Sequence, residues 1–172
     1  IGRRVVAALV KEGRIVRIPV RTPETMRCLK TLGVAGQVVP WICDLSDRES
    51  VFRAVEGADD VVNCVGILYE RGKSTFKKLH VEFPTLLGEV CAETRPHRLI
   101  HLSALGVEHS RSRYGASKRE GEKALRESFP EAVILRPSVV FGPEDEFFNR
   151  FAALSGILPV LPLIGGGKTR FQ

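Results

Sequence analysis

Tyrosine and lysine stand four residues apart in the segment Tyr114-Gly-Ala-Ser-Lys118. On a helix, this spacing puts the phenol and the ammonium group on one face. A nearby cation lowers the pKa of a phenol, so Tyr114 would exchange a proton with a carbonyl or an alcohol while Lys118 holds ribose hydroxyls. The same spacing is also common on helix surfaces, where such a pair only packs its aliphatic and aromatic parts. The pair therefore gains meaning only from its neighbours along the chain.

Two motifs on either side of this pair strengthen its interpretation. Ser103 closes a strand-like run before the pair, where a third hydroxyl would be expected. After the pair, Arg136-Pro-Ser-Val-Val-Phe-Gly-Pro143 ends another strand-like run, since Pro137 cannot donate to the hydrogen-bond ladder of a sheet. The order of these motifs along the chain is more specific than any one of them.

Gly2 opens the first predicted helix, which Gly13 ends. In a chain of alternating strands and helices, a strand and a glycine-rich turn normally come immediately before such a helix. In that turn, backbone N–H groups and the positive helix end approach a pyrophosphate, which only glycine permits sterically. Gly2 is therefore a candidate phosphate-binding residue, although a single glycine also fits an ordinary helix start.

Arg21 follows the next predicted strand, where a fold that binds NAD usually has an acidic residue for the ribose 2′-hydroxyl. A guanidinium grips a 2′-phosphate through two hydrogen bonds, so Arg21 favours NADP(H) over NAD(H). Arg3 and Arg4, beside the helix end, would assist. The competing explanation is that Arg17 and Arg21 only solubilise a strand end.

Two further strand ends carry residues suited to a nucleotide. Asp44 would accept a hydrogen bond from the exocyclic amine of adenine while Leu45 packs on the ring, although a carboxylate before a helix is also a routine cap. Asn63-Cys-Val-Gly66 ends the following strand with a glycine that lets a ligand approach the backbone. Each of these signals is weak by itself.

The elements that must position these residues alternate along the chain. Apolar residues recur with a period that switches between about two and about 3.6, and a helix follows each strand. This alternation predicts an α/β fold of the Rossmann type, a doubly wound parallel sheet with helices on both faces. The predicted strands cover residues 14–20, 37–43, 61–65, 98–102 and 132–135, and the predicted helices cover 2–12, 24–32, 46–57, 74–93 and 114–128.

Domain organisation follows from the same pattern. Ser46-Asp-Arg-Glu49 matches a capping box, which predicts that Ser46 caps the third helix. Glycine and proline become denser after Phe141, so we expect a nucleotide-binding domain over 1–140 and the start of a substrate- or partner-binding region over 141–172. The first strand and the glycine-rich turn are missing and the second region is cut short, so the fold is expected to be truncated at both ends. Residues 1–172 alone are not expected to form a stable cofactor-binding unit.

Composition argues against several other classes of protein. The 26 basic and 20 acidic residues give a net charge of +6, but most basic residues neighbour acidic ones, which is typical of a solvated surface. Aromatic residues are few and are not interleaved with basic ones, so nucleic acid is not an expected partner. The most apolar stretch, 157–164, is short and contains two prolines, so no membrane span is expected. The four cysteines and four histidines lack metal-ligand spacing, and no metal site is expected.

The assembled motifs resemble the extended and atypical branches of the short-chain dehydrogenase/reductase superfamily, and the resemblance spans nearly the whole chain. More narrowly, residues 65–70, 129–132, 141–152 and 161–172 look like the nucleotide-binding accessory subunit of respiratory complex I (NADH:ubiquinone oxidoreductase) and its bacterial relatives. The broader resemblance rests on Gly2, Asp44-Leu45, Asn63-Cys-Val-Gly66, Tyr114 with Lys118, and Arg136-Pro137 through Gly142-Pro143.

The resemblance implies an NADP(H) site in which the nucleotide is often structural rather than turned over. Catalytic members commonly carry two serines at the end of the strand before the tyrosine, with the working hydroxyl on the second. Here the doublet is Ser103-Ala104, so the hydroxyl that orients a carbonyl is missing unless Ser103 takes that role. Losing one such donor costs on the order of a hundredfold in rate.

By resemblance, each part of the nucleotide has its own set of residues. Gly2 and Arg3 lie near the phosphates, Arg21 near the 2′-phosphate, and Asp44 and Leu45 near adenine. Val65 and Gly66 lie along the adenosine ribose and phosphates, Lys118 on the nicotinamide ribose, and Pro137, Ser138 and Val139 near the nicotinamide amide.

Three functions stay open at this point. The first is a component of complex I, or of a bacterial relative, that holds NADP(H) structurally beside membrane respiratory subunits. It would lie in the bacterial cytoplasm at the inner-membrane face or on the mitochondrial matrix side. The second is an active NAD(P)-dependent reductase or sugar-nucleotide-type epimerase that uses Tyr114, Lys118 and Ser103. The third is an NADP(H)-sensing protein that regulates a partner.

Overall fold

The computed structural model describes residues 1–22, 24, 27–142, 145 and 148–157. Residues 1–136 form one compact unit, and a second unit begins at Pro137. No helix in the described part of the chain is long and apolar enough to cross a membrane.

Strands and helices alternate in the first unit, and each predicted strand is present. The elements are α1 (Gly2–Lys11), β1 (Val16–Val20), α2 (Arg27–Lys30), β2 (Val38–Ile42), α3 (Arg48–Val55), β3 (Asp60–Asn63), a π-helical segment (Lys77–Glu82), α4 (Phe83–Thr94), β4 (Arg98–Leu102), α5 (Arg113–Ser128) and β5 (Val133–Leu135); the second unit contains α6 (Phe148–Ser155).

All strand pairs are parallel and form two sheets. β1 pairs with β2, whereas β4 lies between β3 and β5. In the order 3-2-1-4-5-6 of a doubly wound fold, β2 and β1 match the third and second strands, and β3, β4 and β5 match the fourth to sixth. The two sheets are therefore the two sides of a Rossmann-type sheet, whose first strand is not among the described residues. The predicted fold class is confirmed.

The main hydrophobic core covers the three-stranded sheet. Val90 and Cys91 of α4, Leu99 of β4 and Leu125 of α5 have no exposed surface. Each fully buried aliphatic side chain of this size contributes about 1.5–3 kcal/mol, so these contacts hold α4 and α5 on the sheet. A smaller cluster packs α1 against the two-stranded sheet through Val6, Val10 and Val38.

α5 approaches the π-helical segment closely at Gly121. A Cβ atom at this position would lie 1.6 Å from the carbonyl oxygen of His80, a distance that no side chain tolerates. Gly88 of α4 also faces α5, since a Cβ there would lie 2.8 Å from Cβ of Ser128. The two glycines therefore allow α5 to pack directly on the backbone of the preceding helical region.

The predicted capping box is wrong. Asp47 caps α3, because its carboxylate accepts a hydrogen bond from the Ser50 amide at 2.8 Å. The backbone amide and the hydroxyl of Ser46 instead donate to the Asp44 carboxylate, at 2.9 and 2.7 Å. This tight turn at Asp44 holds Ser46 away from the first turn of the helix.

The helix predicted over 74–93 begins later and is not a single α-helix. Its first part, Lys77–Glu82, is π-helical, and α4 follows from Phe83. Pro84 has no N–H to donate to the carbonyl of His80, and its ring would collide with that carbonyl in an α-helix. A wider π-helical turn moves this carbonyl away from the proline ring.

Candidate functional site

α5 carries the predicted tyrosine and lysine at the carboxyl end of β4. Ser112 begins the helix, since its hydroxyl accepts a hydrogen bond from the Gly115 amide at 3.0 Å. Lys118 is only 4% exposed, and its Nζ donates to the carbonyl oxygen of Leu102 at 3.0 Å. Burial lowers the pKa of Lys118. The structure therefore places a buried ammonium group at the carboxyl end of β4, the strand end that the sequence predicted.

Tyr114 lies half-buried among rings. Its ring meets His80 and Phe76 edge-on, with centroids 5.4 and 6.0 Å apart. Burial raises the pKa of Tyr114. The expected lowering by Lys118 is therefore wrong, because the ammonium group is directed to Leu102 and the loss of solvent dominates at the phenol.

The loop after β3 lies against Lys118. Asn63 Oδ1 accepts a hydrogen bond from the Val65 amide at 2.9 Å, and His80 Nε2 accepts one from the Ile67 amide at 3.1 Å. A Cβ atom on Gly66 would lie 3.2 Å from Lys118 Nζ. Glycine thus leaves the ammonium group room beside the loop, and the structure brings Gly66 and Lys118 together.

The N-terminus of α1 lies against the loop after β3. A Cβ atom on Gly2 would lie 3.6 Å from Cβ of Cys64, an ordinary contact distance. α1 has no side-chain cap and no acidic residue in its first turn. Its positive end is therefore suited to an anion beside the loop at Cys64.

These residues fit a dinucleotide. The glycine of the loop leaves space beside a buried lysine, and the positive end of α1 lies at the same loop. Lys118 would hold ribose hydroxyls, and the first turn of α1 would face phosphate. A nicotinamide nucleotide bound here would supply hydride chemistry, and these residues would bind and orient it.

A row of buried polar residues lies behind Lys118. Asn63 Nδ2 is 2.9 Å from Nδ1 of His101, and Glu122 accepts hydrogen bonds from Arg136. Because Asn63 donates here, the proton of the neutral His101 ring is on Nε2, which has no hydrogen-bond partner among the described residues. Burial lowers the pKa of His101 to about 4, and Lys118 adds to the effect.

Glu122 stays charged despite its burial. Burial alone would raise its pKa, but the ion pair with Arg136 outweighs it and lowers the pKa, with a smaller contribution from the nearby Ser103 hydroxyl. Ser103 is 6% exposed, and its hydroxyl makes no hydrogen bond of ordinary length and angle within the described residues, although it lies close enough to Glu122 to act on it. Ser103 therefore faces the buried carboxylate.

The other predicted cofactor-binding residues are spread over the chain. Asp44 is exposed and its carboxylate binds Ser46, which lowers its pKa, whereas Leu45 packs against the main core. Arg21 is exposed after β1, and Arg3 is exposed in the first turn of α1. Pro137, Ser138 and Val139 are half-buried in irregular backbone at the start of the second unit. A cavity of about 460 Å³ beside β2 and α3 contains no predicted site residue and is lined by Pro40, Trp41, Ile42, Asp47, Glu49, Ser50 and Arg53.

Sequence reasoning missed two parts of the site. Glu122 follows Lys118 by four residues on the same helix, so helical spacing alone could have identified it. His80 had no comparable signal, because its contacts come from loops and helices distant in sequence. Among the described residues, no group of histidine, cysteine and acidic side chains has the geometry of a metal site.

Three kinds of comparison with known proteins identify what this chain is similar to. The family model described as NAD(P)H-binding matches residues 1–146. NADH dehydrogenase (ubiquinone) 1 alpha subcomplex subunit 9, mitochondrial, of Mus musculus is 36% identical over 169 residues, which are 97% of this chain and 45% of that protein. A ceramide reductase of Caulobacter vibrioides is 34% identical over 165 residues, 94% of this chain and 50% of that protein. The crystal structure of the Citrobacter sp. triphenylmethane reductase complexed with NADP(H) has a TM-score of 0.66 at 15% identity, covering 90% of this chain and 52% of that one.

The relatives bear out the resemblance to the complex I accessory subunit. The chain spans about half the length of the curated relatives it matches. The structural likeness, at its low identity, agrees with the Rossmann-type fold alone. The match over residues 1–146 shows that this chain belongs to the NAD(P)H-binding family.

Proposed function

We propose that the protein holds NADP(H) as a structural group within a respiratory complex. The observation that carries this proposal is the buried Lys118, which lies beside the glycine of the loop after β3 while the neighbouring Tyr114 has a raised pKa. A buried lysine of this kind suits ribose hydroxyls. A phenol whose pKa is raised releases its proton less readily, so the pair supports binding better than turnover.

The Ser103-Ala104 doublet supports the same proposal. A hydroxyl that polarises a substrate carbonyl must reach the space in which the substrate lies. Ser103 is buried beside Glu122, and Ala104 has no hydroxyl to offer. The proposed role of Ser103 is therefore to hydrogen-bond within the protein or to the cofactor.

Arg21 is the basis for proposing NADP(H) over NAD(H). It is exposed after β1 and has no carboxylate beside it in the sequence at Thr22 or Val20. A guanidinium at this strand end suits a 2′-phosphate through two parallel hydrogen bonds. Asp44 and Leu45, after the neighbouring strand β2, are proposed for the adenine, and Gly2, Arg3, Val65 and Gly66 for the phosphates and the adenosine ribose.

Residues 137–139 are proposed to face the nicotinamide amide, since they follow β5 directly in the chain. Some relatives have names that assign them to NADH dehydrogenase. They support the proposal that this protein is a member of a respiratory complex, whose other subunits are its partners. We propose the matrix side of the mitochondrial inner membrane, or the cytoplasmic face of the bacterial inner membrane, as its place.

Nucleotide titration of the full-length protein tests the proposal. We expect NADPH to bind at least about tenfold more tightly than NADH, and Arg21→Glu to remove this preference. Arg14→Glu, an exposed arginine before the same strand, is the matched control and should leave the preference unchanged. Equal affinity of the wild-type protein for the two nucleotides would contradict the NADP(H) assignment.

Single-turnover kinetics separate a structural nucleotide from a working one. Bound NADPH is expected to stay reduced when ketone substrates are added, and the protein is expected to copurify with membrane respiratory subunits. Copurification also distinguishes this proposal from a free NADP(H) sensor.

A second candidate is an NAD(P)-dependent reductase, which the intact pair of Tyr114 and Lys118 and the ceramide reductase relative favour. In that case NADPH would be oxidised in a single turnover, and Tyr114→Phe would abolish the oxidation without weakening NADPH binding. The structural-group proposal predicts no oxidation in either protein.

A further inference from the structure

His80 lies beside Gly66 and Tyr114 in the candidate site and is fully buried. The residue belongs to the π-helical segment and has no exposed surface. Its ring stacks on Phe76 with centroids 5.1 Å apart and meets the ring of Tyr114 edge-on. Both ring nitrogens form hydrogen bonds, one to the loop after β3 and one to α5.

The directions of these hydrogen bonds define the protonation of the ring. The Ile67 amide can only donate, so Nε2 of His80 is the acceptor and carries no proton. The proton of the neutral ring is therefore on Nδ1, which donates to the Ser117 hydroxyl at 2.9 Å. That hydroxyl in turn donates to the carbonyl oxygen of Tyr114 at 2.8 Å. One continuous chain of hydrogen bonds thus runs from Ile67 to the first turn of α5.

We infer that His80, as the neutral Nδ1–H tautomer, is a positioning residue that holds the Gly66 loop against α5 and so preforms the nucleotide site. A Cβ atom on Gly66 would lie 3.6 Å from His80 Nε2 and 3.2 Å from Lys118 Nζ, so the ring and the ammonium group face the same stretch of loop. The inference rests on the proposed function, because it names the residue that sets the spacing between two of its binding elements.

Burial keeps the ring neutral; of the charged groups that face it, Lys118 favours the neutral form and Glu70 opposes it. Lys118 faces it from α5, Glu70 from the loop before the π-helical segment, and His101 from β4. Burial lowers the pKa of His80 to about 4, and Lys118 lowers it further. A proton on Nε2 would break the bond to Ile67, so a neutral ring is required for this connection near neutral pH.

Two substitutions separate the two hydrogen bonds. The amide oxygen of His80→Gln extends about as far as Nε2 and can still accept from Ile67, whereas the shorter His80→Asn can donate only where Nδ1 did, to Ser117. In the full-length protein, we expect His80→Asn to weaken NADPH binding about tenfold and His80→Gln to change it less than about threefold. His97→Gln, at an exposed histidine, is the control and should bind as the wild-type protein does.

Two measurements keep the inference separate from the proposed function. Nitrogen NMR of the wild-type protein at neutral pH should show a protonated Nδ1 and a bare Nε2 in His80, and hydrogen exchange at the Ile67 amide should accelerate in His80→Asn alone. A ring protonated on Nε2, or equal effects of the two substitutions on affinity and on Ile67 exchange, would overturn the inference. Failure of the wild-type protein to bind NADPH or NADH, with the ring and Ile67 behaving as expected, would instead overturn the proposed function and leave His80 as the residue that positions the loop.

Discussion

Arg136 and Glu122 form a two-point ion pair, in which Nη2 and Nε of the arginine lie 2.6 and 3.0 Å from the two carboxylate oxygens. The pair joins the end of β5 to α5, one helical turn after Lys118. Glu122 is buried, with only 6% of its side chain exposed, whereas 31% of the Arg136 side chain is exposed. Arg136 also pairs with Glu108 on the loop between β4 and α5.

We predict that Glu122→Gln lowers the free energy of unfolding by about 2 kcal/mol, because Arg136 loses the buried carboxylate that neutralises it. Urea denaturation of the full-length protein measures the change. Glu127→Gln is the matched control on the same helix, since its ion pair with Lys123 is exposed and about 0.5 kcal/mol or less is expected. Equal losses in the two variants would show that burial of the pair has no consequence.

Stability should fall as the pH decreases from about 6.5. The pKa of His80 and that of His101 are each lowered to about 4 from an ordinary value of 6.5. Between these values the unfolded chain binds more protons than the folded one, so the free energy of unfolding rises with pH and is fully present only above pH 6.5. The expected slope is about 1.4 kcal/mol per pH unit for each histidine.

Urea unfolding between pH 7 and pH 5 measures this slope, above the range in which carboxylates titrate. His80→Gln should remove the contribution of one histidine and leave only the slope that His101 contributes. A stability that stays constant over this interval would contradict the neutral state of both rings.

Gly121→Ala should destabilise the protein by about 3 kcal/mol or more, although alanine favours helices over glycine by about 1 kcal/mol. The new Cβ would lie 1.6 Å from the His80 carbonyl oxygen, which is backbone and cannot turn aside. Thermal unfolding of Gly121→Ala, compared with Glu120→Ala at the exposed neighbouring position, tests this close approach. Similar melting temperatures for the two variants would mean that α5 packs less closely.

Lys118→Met should affect binding and stability differently. Removing a buried ammonium group relieves its desolvation, which offsets the lost bond to Leu102, so the free energy of unfolding should change by no more than about 1 kcal/mol. The dissociation constant of NADPH should rise about tenfold or more, because the donor for ribose hydroxyls is lost. Isothermal titration and urea denaturation give the two quantities, with the exposed Lys123→Met as control. Unchanged NADPH affinity in Lys118→Met would exclude this lysine from the site.

Local patterns predicted the strands and the paired residues on α5 because these depend on spacing along the chain. β4 has the predicted bounds, Arg98–Leu102. Tyr114 and Lys118 share a helix, so their spacing alone put them on one face. The prediction that Ser46 caps α3 was wrong because Ser46 and Asp47 are both residue types that cap helices well. Only the turn at Asp44 decides between them.

Contacts between segments that are distant in the chain could not be predicted from the sequence. The raised pKa of Tyr114 depends on Phe76 and His80 packing around it, and helical spacing contains no information on either. The π-helical turn depends on Pro84 together with the close packing of Gly121 on the His80 carbonyl, two positions that lie in different helices.

The π-helical segment Lys77–Glu82 also makes the site sensitive to chain length. A π-helical turn holds one residue more than an α-helical turn of similar rise, so losing a single residue there would restore ordinary helix. Each residue in an α-helix turns by about 100°, so everything before the deletion would rotate by that angle relative to α4. Phe76 would leave the face of Tyr114, and Glu70 would lose the Phe76 amide that it holds at 2.9 Å. Related chains that differ by one residue in this segment would therefore present a different set of side chains to Tyr114.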